Sequence, residues 1–100
     1  MNQMNRAELT AAVASATGLT PAQAAEAVAA TLDGIAQAVT ERGGVSLAGF
    51  GTFERRSRAA RTGRNPQTGE PLEIPASVGP AFKPAAAFRR QVAAGGAREN

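Results

Sequence analysis

Five arginines fall within ten residues, Arg55, Arg56, Arg58, Arg61 and Arg64, and the run ends in Arg64-Asn65-Pro66-Gln67. Guanidinium groups at this density suit one kind of chemistry. Their planar fork donates paired hydrogen bonds to phosphate oxygens and base edges. The rest of the charge follows the same division. Residues 1–54 carry two basic and five acidic side chains (net −3), and residues 55–100 carry nine basic and three acidic ones (net +6). Asymmetry of this kind points to a polyanion-binding half joined to a scaffold half. On charge alone, a solvated basic face or a disordered basic tail is the alternative.

Bond-making chemistry is poorly supplied. The chain has no His, Cys or Tyr and one lysine, Lys83, so candidate bases and nucleophiles reduce to carboxylates and hydroxyls. Glu70 and Glu73 lie three apart, and an extended strand points them to opposite faces. No Ser or Thr has a partnered base in view. The His–Cys pattern of a metal cluster is missing, and the acids lack the dense spacing of a calcium loop. An enzyme is therefore not expected, nor are catalytic residues, a metal, a cofactor or a small-molecule substrate. The glycine pair of Gly49-Phe50-Gly51 could cradle phosphate only between a strand and a helix. Strand signals stand on both sides of it, which predicts a tight β-turn with Phe50 anchored inward.

One hundred residues is the length of one domain. Hydrophobic residues make up 43%, but much of that is alanine, with four Phe and no Trp. A chain of this size buries only about 60–65% of its unfolded surface. If part of it extends as an arm, a second chain is a reasonable way to complete the core. The lack of Cys fits a reducing compartment, and no run of about 18 apolar residues could span a membrane. The N-terminus lacks the apolar stretch of a signal peptide. Cytoplasmic residence is the expectation.

The elements that must position the arginines follow from spacing. Asn5 with Glu8 reads as a capping box for a helix over about 6–17, with Leu9 and Val13 on one stripe and Gly18 as the stop. Thr20-Pro21-Ala22-Gln23 starts a second helix. Val28, Leu32, Ile35 and Val39 share one of its faces, and Gly43-Gly44 ends it. The period then becomes two: Val45 and Leu47 alternate around Ser46, and Thr52-Phe53 begins a strand that can run through Arg61. From Arg55 onward that strand holds no large apolar residue, so it projects into solvent or lies on a ligand. Gly63 to Gly69 is the reversal. The return strand is Leu72-Glu73-Ile74, with Pro75 confining it to an edge or irregular ribbon. Phe82 re-enters the core. Pro84 starts a short helix with Phe88 and Val92 inward and Arg89 and Arg90 outward. The order is α-α-β-β-β-α, an α+β class. It reads as one domain over 1–100: a helical hairpin at 6–42, a β-sheet at 45–82 with an arm at about 54–75, a helix at 84–93 and a flexible tail at 94–100.

Within the arm, strand parity puts Arg56 and Arg58 on one face and Arg55 and Arg61 on the other. A twisted ribbon around a duplex would let both faces meet phosphates. Guanidinium also fits an electronegative narrow minor groove. Pro66 is a rigid apolar ring between Asn65 and Gln67, whose amides could meet minor-groove acceptors. The proline could wedge into a base step or simply shape the hairpin, and the residues leave both open. Aromatic stacking residues are missing from the arm, which argues against single-stranded nucleic acid.

Three segments, Gly49-Phe50-Gly51-Thr52-Phe53, Arg58-Ala59-Ala60-Arg61-Thr62-Gly63-Arg64-Asn65-Pro66-Gln67-Thr68-Gly69 and Pro80-Ala81-Phe82-Lys83-Pro84, closely resemble the bacterial histone-like HU and integration host factor family. The likeness covers about residues 4–93 without gaps. It implies an intertwined dimer with a helical base and two extended β-hairpin arms that embrace the DNA minor groove. It also implies a nucleoid protein that bends double-stranded DNA with little sequence preference. Such proteins are established minor-groove binders that kink DNA with an apolar wedge, so that role comes from the family and not from the residue pattern. Carried over, Pro66 becomes the intercalating residue, and Arg61, Arg64 and Asn65, with Gln67 beside them, become groove contacts. Arg58 and Arg56 would contact the DNA backbone lower on the arm, where Arg55 is a further DNA-binding candidate, and Lys83 and Arg6 resemble body positions that touch phosphate. Phe50, Phe53, Phe82 and Val45 would form the dimer core. The chain departs from the family in lacking lysines at Ala76-Ser77-Val78-Gly79 and Ala85-Ala86-Ala87, which shifts affinity toward the arms. A homodimer is the leading expectation, and a sequence-preferring subunit like integration host factor is the alternative. From a different class, a basic arm binding RNA or an acidic protein would also fit the charge.

Overall fold

A computed structural model describes residues 3–98 of the chain. The first of its two compact units comprises α1 (Arg6–Thr17) and α2 (Pro21–Arg42) as far as Gln37. Both helices start as their local sequence dictates. The Asn5 side chain accepts from the Glu8 N–H at 2.8 Å, and the Glu8 carboxylate reaches back to the Asn5 N–H. Thr20 and Gln23 repeat the exchange at α2, at 3.2 and 3.0 Å. Each box satisfies two backbone donors that the helix itself leaves unpaired. The apolar stripe of α2 is only partly covered: Ala24 and Val28 are the buried apolar side chains among the described residues, whereas Leu32 is 43% exposed. On α1, Leu9 is 44% exposed.

The second unit begins at Ala38 and holds the end of α2, five strands and α3 (Ala86–Arg98). The strands are β1 (Gly44–Leu47), β2 (Gly51–Arg58), β3 (Arg61–Arg64), β4 (Pro71–Ile74) and β5 (Ser77–Pro84). An antiparallel three-stranded sheet has the order β1-β2-β5, and β3 pairs with β4 as a separate ribbon. Three strands were expected where five are found, because the hairpin is interrupted on both sides. Arg58 pairs with Ser77 and Arg61 with Ile74, so Ala59-Ala60 stands across from Pro75-Ala76. Pro75 has no N–H to give the ladder, and pairing lapses there without a change of register. β1 last pairs at Gly44 with Glu54. Beyond that point the ribbon is two-stranded, so the arm spans about 55–80 and includes more of the return strand than the expected 54–75.

One face of the sheet is apolar. Val45, Phe53 and Phe82 form a row across β1, β2 and β5. Phe50, in the turn before β2, has its ring centroid 5.5 Å from that of Phe82 and 4.8 Å from that of Phe88, with the last pair stacked. A side chain at Gly51 has no room there, since its Cβ would lie 2.6 Å from the Phe82 ring. The cluster is nevertheless open within one chain: Phe50 remains 43% and Phe82 37% exposed.

The C-terminal helix differs from expectation at both ends. Pro84 closes β5, and α3 begins at Ala86. Helix then continues through Gly95-Gly96 to Arg98, where a tail from residue 94 was expected. Each glycine costs about 1 kcal/mol in a helix, but neither terminates one unaided, and the surrounding alanines favour it. Of the expected tail, only residues 99 and 100 lie outside the described residues, as do Met1 and Asn2 at the start. Phe88 faces the aromatic cluster as expected, whereas Val92 stays 58% exposed.

Candidate nucleic-acid interface

Cross-strand partners share a face, so the register sorts the basic residues. Opposite the apolar face, the polar face of the sheet carries Ser46, Thr52 and Lys83 in one row and Glu54 with Ala81 in the next. Arg56 follows across from Gly79, and Arg58 across from Ser77. The small partners leave room beside each guanidinium, and Arg56, Arg58, Ser77 and Gly79 line a shallow depression. Lys83, Arg56 and Arg58 are exposed. The only ion pair among the described residues is Arg56 with Glu54, at 3.5 Å. Contacts of this exposed kind contribute little, about 0–1 kcal/mol, and yield readily to a better anion.

Arg55 points to the other face. Its Nη1 donates to the Thr40 carbonyl at 3.0 Å, and its N–H donates to the Gly43 carbonyl at 2.9 Å. A cation on the last carbonyls of a helix satisfies acceptors that the helix leaves open and complements its dipole. The structure therefore gives Arg55 a role at the end of α2 that sequence parity alone had no means of assigning.

Farther out, Arg61 lies across from Ile74 on the face that continues the apolar side, together with Gly63 and Leu72. Arg64 lies across from Pro71 on the face shared with Thr62 and Glu73. The tip is closed by its own hydrogen bonds. Asn65 N–H donates to the Glu70 carbonyl at 2.9 Å, and Gly69 N–H donates to the Asn65 carbonyl at 2.7 Å. Asn65 Oδ1 accepts from Gln67 N–H at 2.9 Å, and Arg64 Nη1 donates to the Gly69 carbonyl at 3.0 Å. Gly69 has φ +75, a left-handed conformation that favours glycine. Pro66 and Gln67 are exposed at the apex, and Asn65 is half-buried beneath them. The Arg61 and Arg64 side chains are exposed.

Arg6 belongs to the first unit, where it is exposed in the opening turn of α1. Its carbonyl accepts from the Thr10 hydroxyl at 2.9 Å. Of the ten residues singled out from sequence, the second unit thus gathers nine along one sheet and its extension, and one of those nine, Arg55, is turned to the helix end.

The chain as a whole is similar to known proteins. The model of the family described as bacterial DNA-binding protein matches residues 4–93. The chain belongs to that family, the bacterial HU proteins. It is 54% identical over 89 residues to DNA-binding protein HU of Geobacillus stearothermophilus, covering 89% of this chain and 99% of the relative. It is 51% identical over 90 residues to DNA-binding protein HU 1 of Bacillus subtilis, covering 90% and 98%. Among solved structures, an Anabaena HU–DNA cocrystal structure is similar at a TM-score of 0.80 and 48% identity, over 90% of this chain and 98% of that one. A mutant of transcription factor 1, solved in solution, gives a TM-score of 0.62 at 37% identity, over 91% and 92%. The α+β class expected from sequence is that of the HU fold. No described helix is long and apolar enough to cross a membrane.

Proposed function

We propose that this HU-family chain is a non-enzymatic architectural protein of the bacterial nucleoid, which binds double-stranded DNA with little sequence preference and bends it through the minor groove. The observation that carries the reading is Pro66, exposed at the apex of a hydrogen-bonded tip at the end of an arginine-bearing ribbon. A relative solved bound to DNA supports the ligand class. Lys83, Arg56 and Arg58 take phosphates along the polar face, with Arg6 contributing from the first unit. Arg61, Asn65 and Gln67 meet the groove, to whose electronegative floor Arg64 adds its charge. Pro66 enters a base step and kinks the duplex there. Arg55 contributes charge at the arm base while its guanidinium remains on the α2 end.

The protein acts as a dimer of identical chains. The open aromatic cluster of the sheet, Leu32 on α2 and Leu9 on α1 are apolar surfaces that one chain leaves in water. A second copy covers them and supplies a second arm. Such a protein works in the cytoplasm, on the chromosome.

Circular-permutation mobility of a DNA fragment with the purified protein tests the wedge. Pro66→Ala is expected to abolish bending while largely preserving binding. Bending equal to that of the unaltered protein would refute it.

A further inference from the structure

We propose that Arg64 is a positioning residue: its guanidinium latches the arm tip from within and holds Pro66 in the pose from which it enters DNA. The inference rests on the wedge reading of Pro66 and goes beyond it by assigning what fixes the wedge. Arg64 is the last residue of β3, and its Nη1 reaches across the loop to the Gly69 carbonyl at 3.0 Å. That carbonyl belongs to the residue whose N–H already donates to Asn65 O at 2.7 Å. Gly69 is therefore held from both its amide and its carbonyl side, and residues 65–69 are closed into one ring by Asn65 on one side and Arg64 on the other. Pro66 sits in that ring one residue after Asn65, whose Oδ1 accepts from Gln67 N–H at 2.9 Å. The loop buries no apolar side chain to define its shape, so hydrogen bonds define it.

Arg61 provides an internal contrast on the same strand. Both arginines are exposed and carry the same charge, but no hydrogen bond from the Arg61 side chain to the protein is found among the described residues, whereas Arg64 is engaged. Removing either one subtracts one positive charge from β3. Removing Arg64 also opens the loop. An exposed, mobile wedge must be ordered when it inserts, whereas a latched one is already in place, which is the advantage of preorganisation.

The test uses the full-length protein in two measurements. Amide exchange by nuclear magnetic resonance, without DNA, follows the Asn65 and Gly69 N–H groups in the unaltered protein, Arg64→Ala and Arg61→Ala. Arg64→Ala is expected to speed exchange at both positions by about five- to tenfold, the loss of one charge-assisted hydrogen bond discounted for exposure. Arg61→Ala leaves these rates unchanged. On one duplex, the bend angle is then measured at saturating protein and the salt dependence of binding by titration at several salt concentrations. Arg64→Ala is expected to lower the bend toward that of Pro66→Ala, while Arg61→Ala, which takes one charge from each arm of the dimer, lowers the salt slope by about 1.8. Unchanged exchange in Arg64→Ala overturns the latch. Faster exchange with a full bend overturns the link from latch to wedge. If Pro66→Ala itself bends DNA fully, the wedge reading fails, and the exchange rates still decide the latch.

Discussion

The tip and the base of the arm are built on opposite principles. At the tip, backbone and side-chain groups satisfy one another, through Asn65 with Gln67, Gly69 with Asn65 and Arg64 with Gly69, and an uncharged proline is displayed on top. At the base, Arg58 and Lys83 carry charge with small partners across the strands, and Arg56 is held only by an exposed contact to Glu54. The tip fixes shape and the base supplies field. Shape and field have different experimental signatures, because bending depends on geometry at one base step, while affinity through phosphates falls with salt in proportion to the charges neutralised.

Substitutions should separate the two. Pro66→Ala should have the largest effect on shape, removing the bend with the salt slope unchanged. Substituting Arg58 by Ala should do the reverse, weakening binding to all sequences and, with one charge lost from each arm of the dimer, lowering the slope by about 1.8 without altering the bend. Because the chain lacks lysines in 76–79 and 85–87, its own slope should be shallower than that of a lysine-rich relative titrated on the same fragment. Equal slopes would mean that the body contributes as many phosphate contacts as in that relative. Arg55→Ala should cost about 1 kcal/mol of folding stability, read by denaturant unfolding, because it uncaps the end of α2. A large fall in salt slope in that variant would instead return Arg55 to the DNA surface. The smallest effect is expected from Glu54→Gln. Freeing Arg56 from its exposed pair should tighten binding by less than about fivefold, and weaker binding would show that Glu54 holds Arg56 in a productive pose.

The sequence made the local features legible and left the relational ones obscure. The capping pairs Asn5–Glu8 and Thr20–Gln23 are three residues apart, so spacing alone placed the starts of both helices. The faces of β2 followed from parity, which set Arg56 and Arg58 apart from Arg55. The carbonyl that Arg55 would reach did not follow, since Thr40 lies 15 residues away and becomes a neighbour only when β2 returns past the helix end. The interruption opposite Pro75 had a visible signal in the proline. Its effect on Ala59-Ala60 required the register, which puts Arg58 against Ser77 and Arg61 against Ile74. The bond from Arg64 to Gly69 depends on a loop closed by other loop residues, so arginine identity alone suggested only a groove contact. The length of α3 was missed because Gly95-Gly96 reads as a stop, and the alanine-rich surroundings outweigh it.

The division between tip and base can be tested on a single duplex. Bend angle and salt slope would be measured for Pro66→Ala and for the double variant Arg56→Ala/Arg58→Ala beside the unaltered protein. The proline variant is expected to lose the bend and keep the slope, while the double variant, which removes two charges from each arm of the dimer, keeps the bend at saturation and loses about 3.6 from the slope. A proline variant that still bends the DNA, or a double variant whose slope is unchanged, would contradict that division.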